Sequence, residues 1–246
     1  MPYAWSRALR VACCIASKDA RIYFLKGPNL TFGILLPLVL YWAFAMDRSL
    51  DLPVVMPGLI AMAILFGAGA IQGVSLPLER RTGTLNALLA APSTLAAIML
   101  GKALAGMFFG MLLSLVYIAP ILLLTSVSMN IPMFLVSSLF ASFCFSCFGL
   151  FLAAPFQDVP QAMPPATVVR IAMVFLSGTF VSVETMSGMG RVVARMMPLT
   201  YAVDALRQAG SNAPSAWPYL MDLAILALLG AALLAIATAL LNRACD

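Results

Sequence analysis

Chemistry in a protein needs nucleophiles, acids, bases or metal ligands at workable spacing, and this 246-residue chain carries few of them. It has no histidine, so the commonest metal ligand and general base is missing. Glu79, Asp158, Glu184, Asp204 and Asp222 are the candidate acids for acid–base work, and no two of these five stand close in sequence. Cys144 and Cys147 form one C-x-x-C inside an apolar run, with no second pair beside it. They read as small packing residues rather than as a zinc or redox site, and the odd total of five cysteines implies no disulfide framework. Gly101-Lys102 does not close a phosphate-binding loop, because apolar helix precedes it and Ala103 follows. What the chain does concentrate is charge, at Glu79-Arg80-Arg81 within "LPLERRTGTLNALLAAPST". That knot suits an ionic contact, not bond-breaking.

The elements around the knot are set by composition. The chain is 63% hydrophobic and 9% charged, whereas soluble domains run near half apolar and about a quarter charged. Such a chain cannot cover itself with polar surface, and lipid is its expected solvent. The net charge of +5 does not point to nucleic acid, because the basic residues form no stripe with interleaved aromatics. Six stretches reach the length of about 20 residues that a helix needs to cross a bilayer: 29–46, 54–76, 103–127, 131–154, 164–181 and 219–241. The expectation is an all-α membrane protein with six transmembrane helices. No small-residue cleavage site follows the first apolar stretch, which is therefore expected to remain in place. Pro37, Pro57 and Pro120 fall in or near span ends, where membrane helices tolerate them.

Orientation follows from the basic residues in the loops. With the N-terminus inside, the inner segments hold Arg7, Arg10, Lys18, Arg21, Lys26, Arg80, Arg81, Lys102 and Arg243, and the outer ones Arg48, Arg191, Arg195 and Arg207. Nine against four places both termini in the cytoplasm of a multi-pass protein of the cytoplasmic membrane. Residues 1–28 mix basic residues with Trp5, Ile15, Ile22, Tyr23 and Phe24, which predicts an amphipathic helix in the cytoplasmic interface ahead of the membrane domain, 29–246. Between spans five and six, 182–218 is partly apolar and broken by Pro198, so two short helices on or in the outer leaflet fit it.

Several residues admit two readings. Ser138, Ser142 and Ser146 form a small polar stripe on span four, a surface for close helix packing or for lining a pathway. Gly106 and Gly110 make a G-x-x-x-G on span three, a common packing pattern. Arg170 can pair with Asp158 or a backbone carbonyl, snorkel to the inner interface, or bind substrate. Asp204 and Arg207 can pair with each other or with headgroups, and Lys102 is placed at the inner boundary of span three, within reach of lipid phosphate. After Gly83, "TLNALLAAP" predicts a short amphipathic helix with Leu85, Leu88 and Leu89 on one face. Thr82 or Thr84 can cap its start and Pro92 marks its end. Its leucines can pack on the N-terminal helix or enter a groove on another protein.

These residues carry a resemblance. "LERRTGTLNALLAAP" followed by "GKAL" is similar to the signature of type-2 ABC exporter permeases. Pro198-Leu199-Thr200-Tyr201 with Asp204, Leu206 and Arg207 resembles the P-L-T-Y-x-x-D-x-L-R motif of the daunorubicin-resistance and nodulation-factor branch. The resemblance implies a homodimeric permease, each protomer served by a separate ATP-binding subunit that holds ATP and Mg, with no cofactor or metal in this chain. It implies that 79–92 is the coupling helix, with Glu79, Arg80, Arg81, Gly83, Thr84, Leu85, Leu88, Leu89 and Pro92 as ATPase-coupling residues. It further implies that Pro198, Leu199, Thr200, Tyr201, Asp204 and Arg207 belong to an outer gate. Asn86 departs from the pattern, which often has Glu there, so one contact to the ATPase differs. The implied cargo is a hydrophobic or amphiphilic molecule, whether drug, lipid or lipid-linked glycan, and nucleic acid is not a partner. The alternative, an ion-coupled secondary carrier, needs ionisable groups at mid-membrane, and no acid stands near a span centre. An intramembrane enzyme needs an acid–base pair that the spacing does not supply.

Overall fold

The computed structural model describes residues 2–24, 34–35, 38–39, 42, 52–90, 93–124, 129–179, 188–210 and 218–243; the side chains of 2–9, 52–55 and 120–124 are excepted. The expected first span, 29–46, lies largely outside the described residues, as do Glu184 and Pro92. Among the described residues the fold is helical throughout: α1 (Pro2–Tyr23), α2 (Leu52–Arg81), α3 (Thr84–Ala90), α4 (Leu95–Leu124), α5 (Ile131–Ala153), α6 (Val159–Leu176), α7 (Gly188–Met196), α8 (Pro198–Gly210) and α9 (Tyr219–Arg243). Five of them, α2, α4, α5, α6 and α9, are long and apolar enough to cross a membrane.

The boundaries shift from the sequence expectation in an informative way. Helix α2 continues through Glu79-Arg80-Arg81, and α4 begins at Leu95, eight residues before the expected start of its span. Helical hydrogen bonding does not stop where hydropathy falls, so the charged knot stands on the last turn of α2, and the short helix expected over 79–92 is confined to α3. Helix α6 likewise begins at Val159, behind an Asp158 N-cap in extended conformation.

Helix α2 is the central post. It packs against α4, α5, α6 and α8, and its apolar length is buried on every side. Close approach comes from small residues: a Cβ on Gly149 of α5 would lie 2.7 Å from the Gly69 Cα of α2. A Cβ on Gly110 of α4 would sit 2.7 Å from Ser142 Oγ, and one on Gly106 would collide with Ser146 Oγ. The glycine pair of α4 and the serine stripe of α5 are therefore two halves of one packing seam. Ser138, Ser142 and Ser146 are all fully buried within the protomer. On the other flank α1 lies on α4, its Ala12 and Ile15 set against Gly101.

At the end of the bundle away from α3, α7 and α8 form an elbow around Pro198. Proline has no N–H to continue a helix, and α7 ends with unpaired carbonyls. Thr200 Oγ donates to Ala194 O at 2.5 Å, and Tyr201 Oη donates to Arg195 O at 2.6 Å. Arg207 then ties α8 to the residues after α6, donating to Gly178 O at 2.9 Å. Asn130, the N-cap of α5, receives Met133 N–H on its side chain and donates its own N–H to Ala209 O at 2.9 Å. Pro198, Leu199, Thr200, Tyr201 and Asp204 are all buried, so this motif is part of the core that α8 shares with α2, α5 and α9.

Candidate functional site

The reversal from α2 into α3 is made by Gly83, whose φ of +73° lies in the left-handed region that glycine enters without a Cβ penalty. Thr82 Oγ donates to Leu78 O at 2.9 Å, and Thr84 Oγ donates to Glu79 O at 3.4 Å. Both hydroxyls thus close off the end of α2, and neither caps α3 as the sequence had suggested. The first turn of α3 is instead closed on the Gly83 carbonyl, which receives the N–H groups of Asn86 and Ala87.

Helix α3 has one buried and one open face. Leu85 is buried with Leu76, Met99, Cys147, Leu150 and Leu241, residues of α2, α4, α5 and α9, and Leu89 packs on the same cluster. Burying a leucine of this kind contributes about 1.5–3 kcal/mol. Leu85 and Leu89 therefore serve the chain's own bundle rather than α1, whereas Leu88, expected on the same face, is not part of that cluster. Thr84, Asn86, Ala87 and Ala90 are exposed, with Leu88 partly so, and these form the face α3 offers outward.

The three charges of the knot go separate ways. Arg81 pairs with Asp158 at 3.4 Å, and Arg80 donates to Ala154 O at 2.8 Å and Phe156 O at 3.0 Å. Both arginines therefore hold the α5–α6 connection. Together with Leu85, Asn86, Leu89 and Gln157 they line a cleft of about 570 Å³. Glu79 turns inward instead. Its carboxylate meets Lys102 Nζ of α4 at 2.7 Å and Lys18 Nζ of α1 at 2.5 Å. Asp19 completes the set, 3.0 Å from Lys18 and 3.3 Å from Lys102.

This four-charge cluster is net neutral and almost dry. The side chains of Lys102 and Asp19 are fully buried and that of Glu79 is 3% exposed, with only Lys18 reaching solvent. Lys102 is thus no marker of a lipid headgroup boundary, because the cluster consumes it. Burial pulls the Lys18 ammonium down, but its hydrogen bond to Glu79 and the nearby Asp19 charge prevail and raise it above its ordinary value. Burial, aided by the charges of Glu79 and Asp19, raises the Tyr23 phenol. Beside the cluster Gln72 Nε2 donates to the Lys102 carbonyl, and Ser75 Oγ donates to Gln72 Oε1 at 3.2 Å. In the sequence Lys18 counts only as an inner basic residue, and Asp19 is not singled out. Asp19 stands with Ala12, Ile15 and Tyr23 at helical spacing on the buried face of α1, and that pattern was the signal.

The outer-motif residues lie far along the chain from this site, in the α7–α8 elbow. There burial pulls the Arg207 guanidinium down while the Asp204 charge opposes the shift. Burial, with the Asp222 charge, raises the Tyr201 phenol. Arg170 meets the Gly69 carbonyl at 2.9 Å, whereas Asp158 is held by Arg81.

The arrangement has no nucleophile–base pair. Among the described residues no group of three or more His, Cys, Asp or Glu side chains could hold a metal. What it can do is bear load: an outward helix face fixed to α2 by a tight turn, and to α4 and α1 by buried charge. None of the individually curated proteins matches the chain. The family model described as "ABC-2 type transporter" matches residues 19–209. That match begins at the Asp19 of the charge cluster and ends in the last turn of α8, over more than three-quarters of the sequence, so the chain belongs to the ABC-2 type transporter family as a multi-pass membrane permease.

Proposed function

We propose that the chain is the permease half of an ATP-driven exporter, with α3 as the coupling helix that receives force from a separate ATP-binding subunit. The observation that carries this reading is the double character of α3. Its Leu85–Leu89 face is locked into the bundle, and its Asn86, Ala87 and Ala90 face is open. A partner pressing on the open face moves α2 and α4 with it, because Gly83 and the Glu79–Lys102 pair leave little slack. The basic residues favour a cytoplasmic α3 end in the bacterial inner membrane. A second copy of the chain completes the pathway, and rigid-body movement of the two halves opens it to alternate sides. The α7–α8 elbow closes the outer side. The cargo is a hydrophobic or amphiphilic molecule, in keeping with spans that carry few fixed charges.

The deciding experiment is ATP hydrolysis in proteoliposomes containing this chain, with and without a candidate ATP-binding subunit from the same genome. A stable complex whose hydrolysis depends on both chains supports the reading. If no ATPase associates or responds, the exporter reading is overturned.

A further inference from the structure

Arg170 stands eleven residues into α6, which begins at Val159, so it lies about 16 Å along that helix. Its hydrogen-bond partner Gly69 stands twelve residues before the end of α2 at Arg81, about 18 Å along it. Both depths are close to half of the roughly 30 Å hydrocarbon thickness. The start of α6 at Val159, earlier than the sequence suggested, removes the snorkelling reading. The side chain is 1% exposed and turned inward onto α2.

The guanidinium is held there by a single neutral acceptor. One Nη2–H goes to the Gly69 carbonyl at 2.9 Å, and Nε–H has no partner. Space is kept by glycine: a Cβ at Gly69 would lie 3.3 Å from Nε, and one at Gly73 would lie 3.3 Å from Nη2. A buried cation facing one carbonyl is expensive, and opposite charge is what compensates it.

Among the described residues no such charge is at hand. Asp19, Glu79 and Asp158 are gathered at the α3 end, and Asp204 and Asp222 belong to α8 and the first turn of α9. Asp47, Asp51, Glu184 and Asp246 lie in sequence outside the five long helices. A second copy would bring the same spans, equally empty of acid at this depth. Lipid phosphates stay at the edge of the hydrocarbon, about 15 Å away.

We propose that Arg170 is the binding residue for an oxyanion, carboxylate or phosphate, on the amphiphile that the permease moves. This deepens the exporter reading and rests on it. In the present state the guanidinium is parked on the Gly69 carbonyl. A cargo oxyanion accepts from Nε and an Nη together, replacing one bond to a neutral acceptor by two to a charged one. Helix α6 is suited to give way, since Ala162, Ala166, Arg170, Met173 and Val174 form its one buried face, while Val168, Ile171 and Phe175 face outward.

The test is binding of matched twelve-carbon probes to the full chain in phosphatidylcholine nanodiscs, without ATP or an ATPase. Dodecyl phosphate is expected to bind at least tenfold more tightly than dodecyltrimethylammonium. Arg170→Met and Arg170→Gln should both abolish that preference, the second while keeping a neutral polar group at the position. Exposed Arg243→Met should retain it. Thermal unfolding separates this role from a structural one: a parked ligand predicts an Arg170→Met melting temperature equal to or above wild type, and a structural staple predicts a lower one. Equal binding of both probes by the wild type, or undiminished preference in Arg170→Gln, overturns the proposal. Because no ATPase is present, the result stands whether or not the energy source has been identified correctly.

Discussion

Replacing Lys102 by methionine keeps the length and apolar stem of the side chain and removes only its charge. In the native cluster two cations face two carboxylates. The variant leaves Asp19, fully buried, and Glu79, nearly so, with Lys18 alone between them. Breaking a buried pair by deleting one partner typically costs about 3–5 kcal/mol, because the orphaned charge stays out of water. The cheapest escape is for α1 to lift away and hydrate Asp19, so this cost is expected to appear in α1 docking. An equilibrium shift of that size is roughly two to four decades. The assay is labelling of a single cysteine placed at Ile15, which is 5% exposed when α1 is docked, in a chain whose other cysteines are serine. Lys102→Met should raise the labelling rate by a hundredfold or more, and the charge-balanced pair Lys102→Met with Glu79→Gln should return most of the protection. If the single variant labels no faster than its parent, or the balanced pair labels as fast as the single, charge compensation is not what holds α1.

Other expectations are shorter to state. Leu85→Asp drives a carboxylate into the apolar cluster under α3 and should lower thermal stability in detergent by more than the 2–5 kcal/mol typical of a leucine truncation. Asn86→Asp, on the open face, should leave the melting temperature unchanged while altering how the chain stimulates hydrolysis by the proposed ATP-binding subunit. Tyr201→Phe removes the bond to the Arg195 carbonyl and should cost about 1 kcal/mol or somewhat more, read as faster proteolysis at the α7–α8 elbow. Lys18 is held above its ordinary value of 10.5, so its contribution is complete below that value and lost only as pH climbs through the raised one. The Ile15 cysteine should therefore label at a rate set by thiol ionisation alone between about pH 6 and pH 9.

Hydropathy located the five described long helices because lipid-facing and buried residues in such a bundle are alike apolar. It misplaced their ends where charge is internal. The stretch Leu78 to Arg81 lies beyond the expected end of its span at residue 76, yet it continues the same helix because Glu79 finds cations on α1 and α4 and the arginines find carbonyls and Asp158. Those partners are separated from it by tens of residues, and one sequence shows no pairing across such a distance. Leu85 and Leu89 of α3 were legible as one face, whereas Leu88, read as part of it, stands on the open side, because the surface each leucine meets depends on tertiary packing. The serine stripe and the G-x-x-x-G were each visible as patterns, and only the register of α4 against α5 shows that they fill one another. Pro198 announced the elbow, whereas the use of Thr200 and Tyr201 to satisfy the end of α7 needed the fold.

The charge cluster also fixes an order of events during synthesis. Asp19 and Lys102 are 83 residues apart, and a ribosome adding about 5–20 residues per second needs roughly 4 to 17 s to cover that interval. For that time α1 has emerged without the cation that neutralises Asp19. Lys18 alone is at hand, on the same turn. The N-terminal helix must wait in water or at the membrane surface until α2 and the start of α4 have been laid down. Its seating is then among the later steps of assembly, and a chain truncated before Lys102 would leave it unmoored.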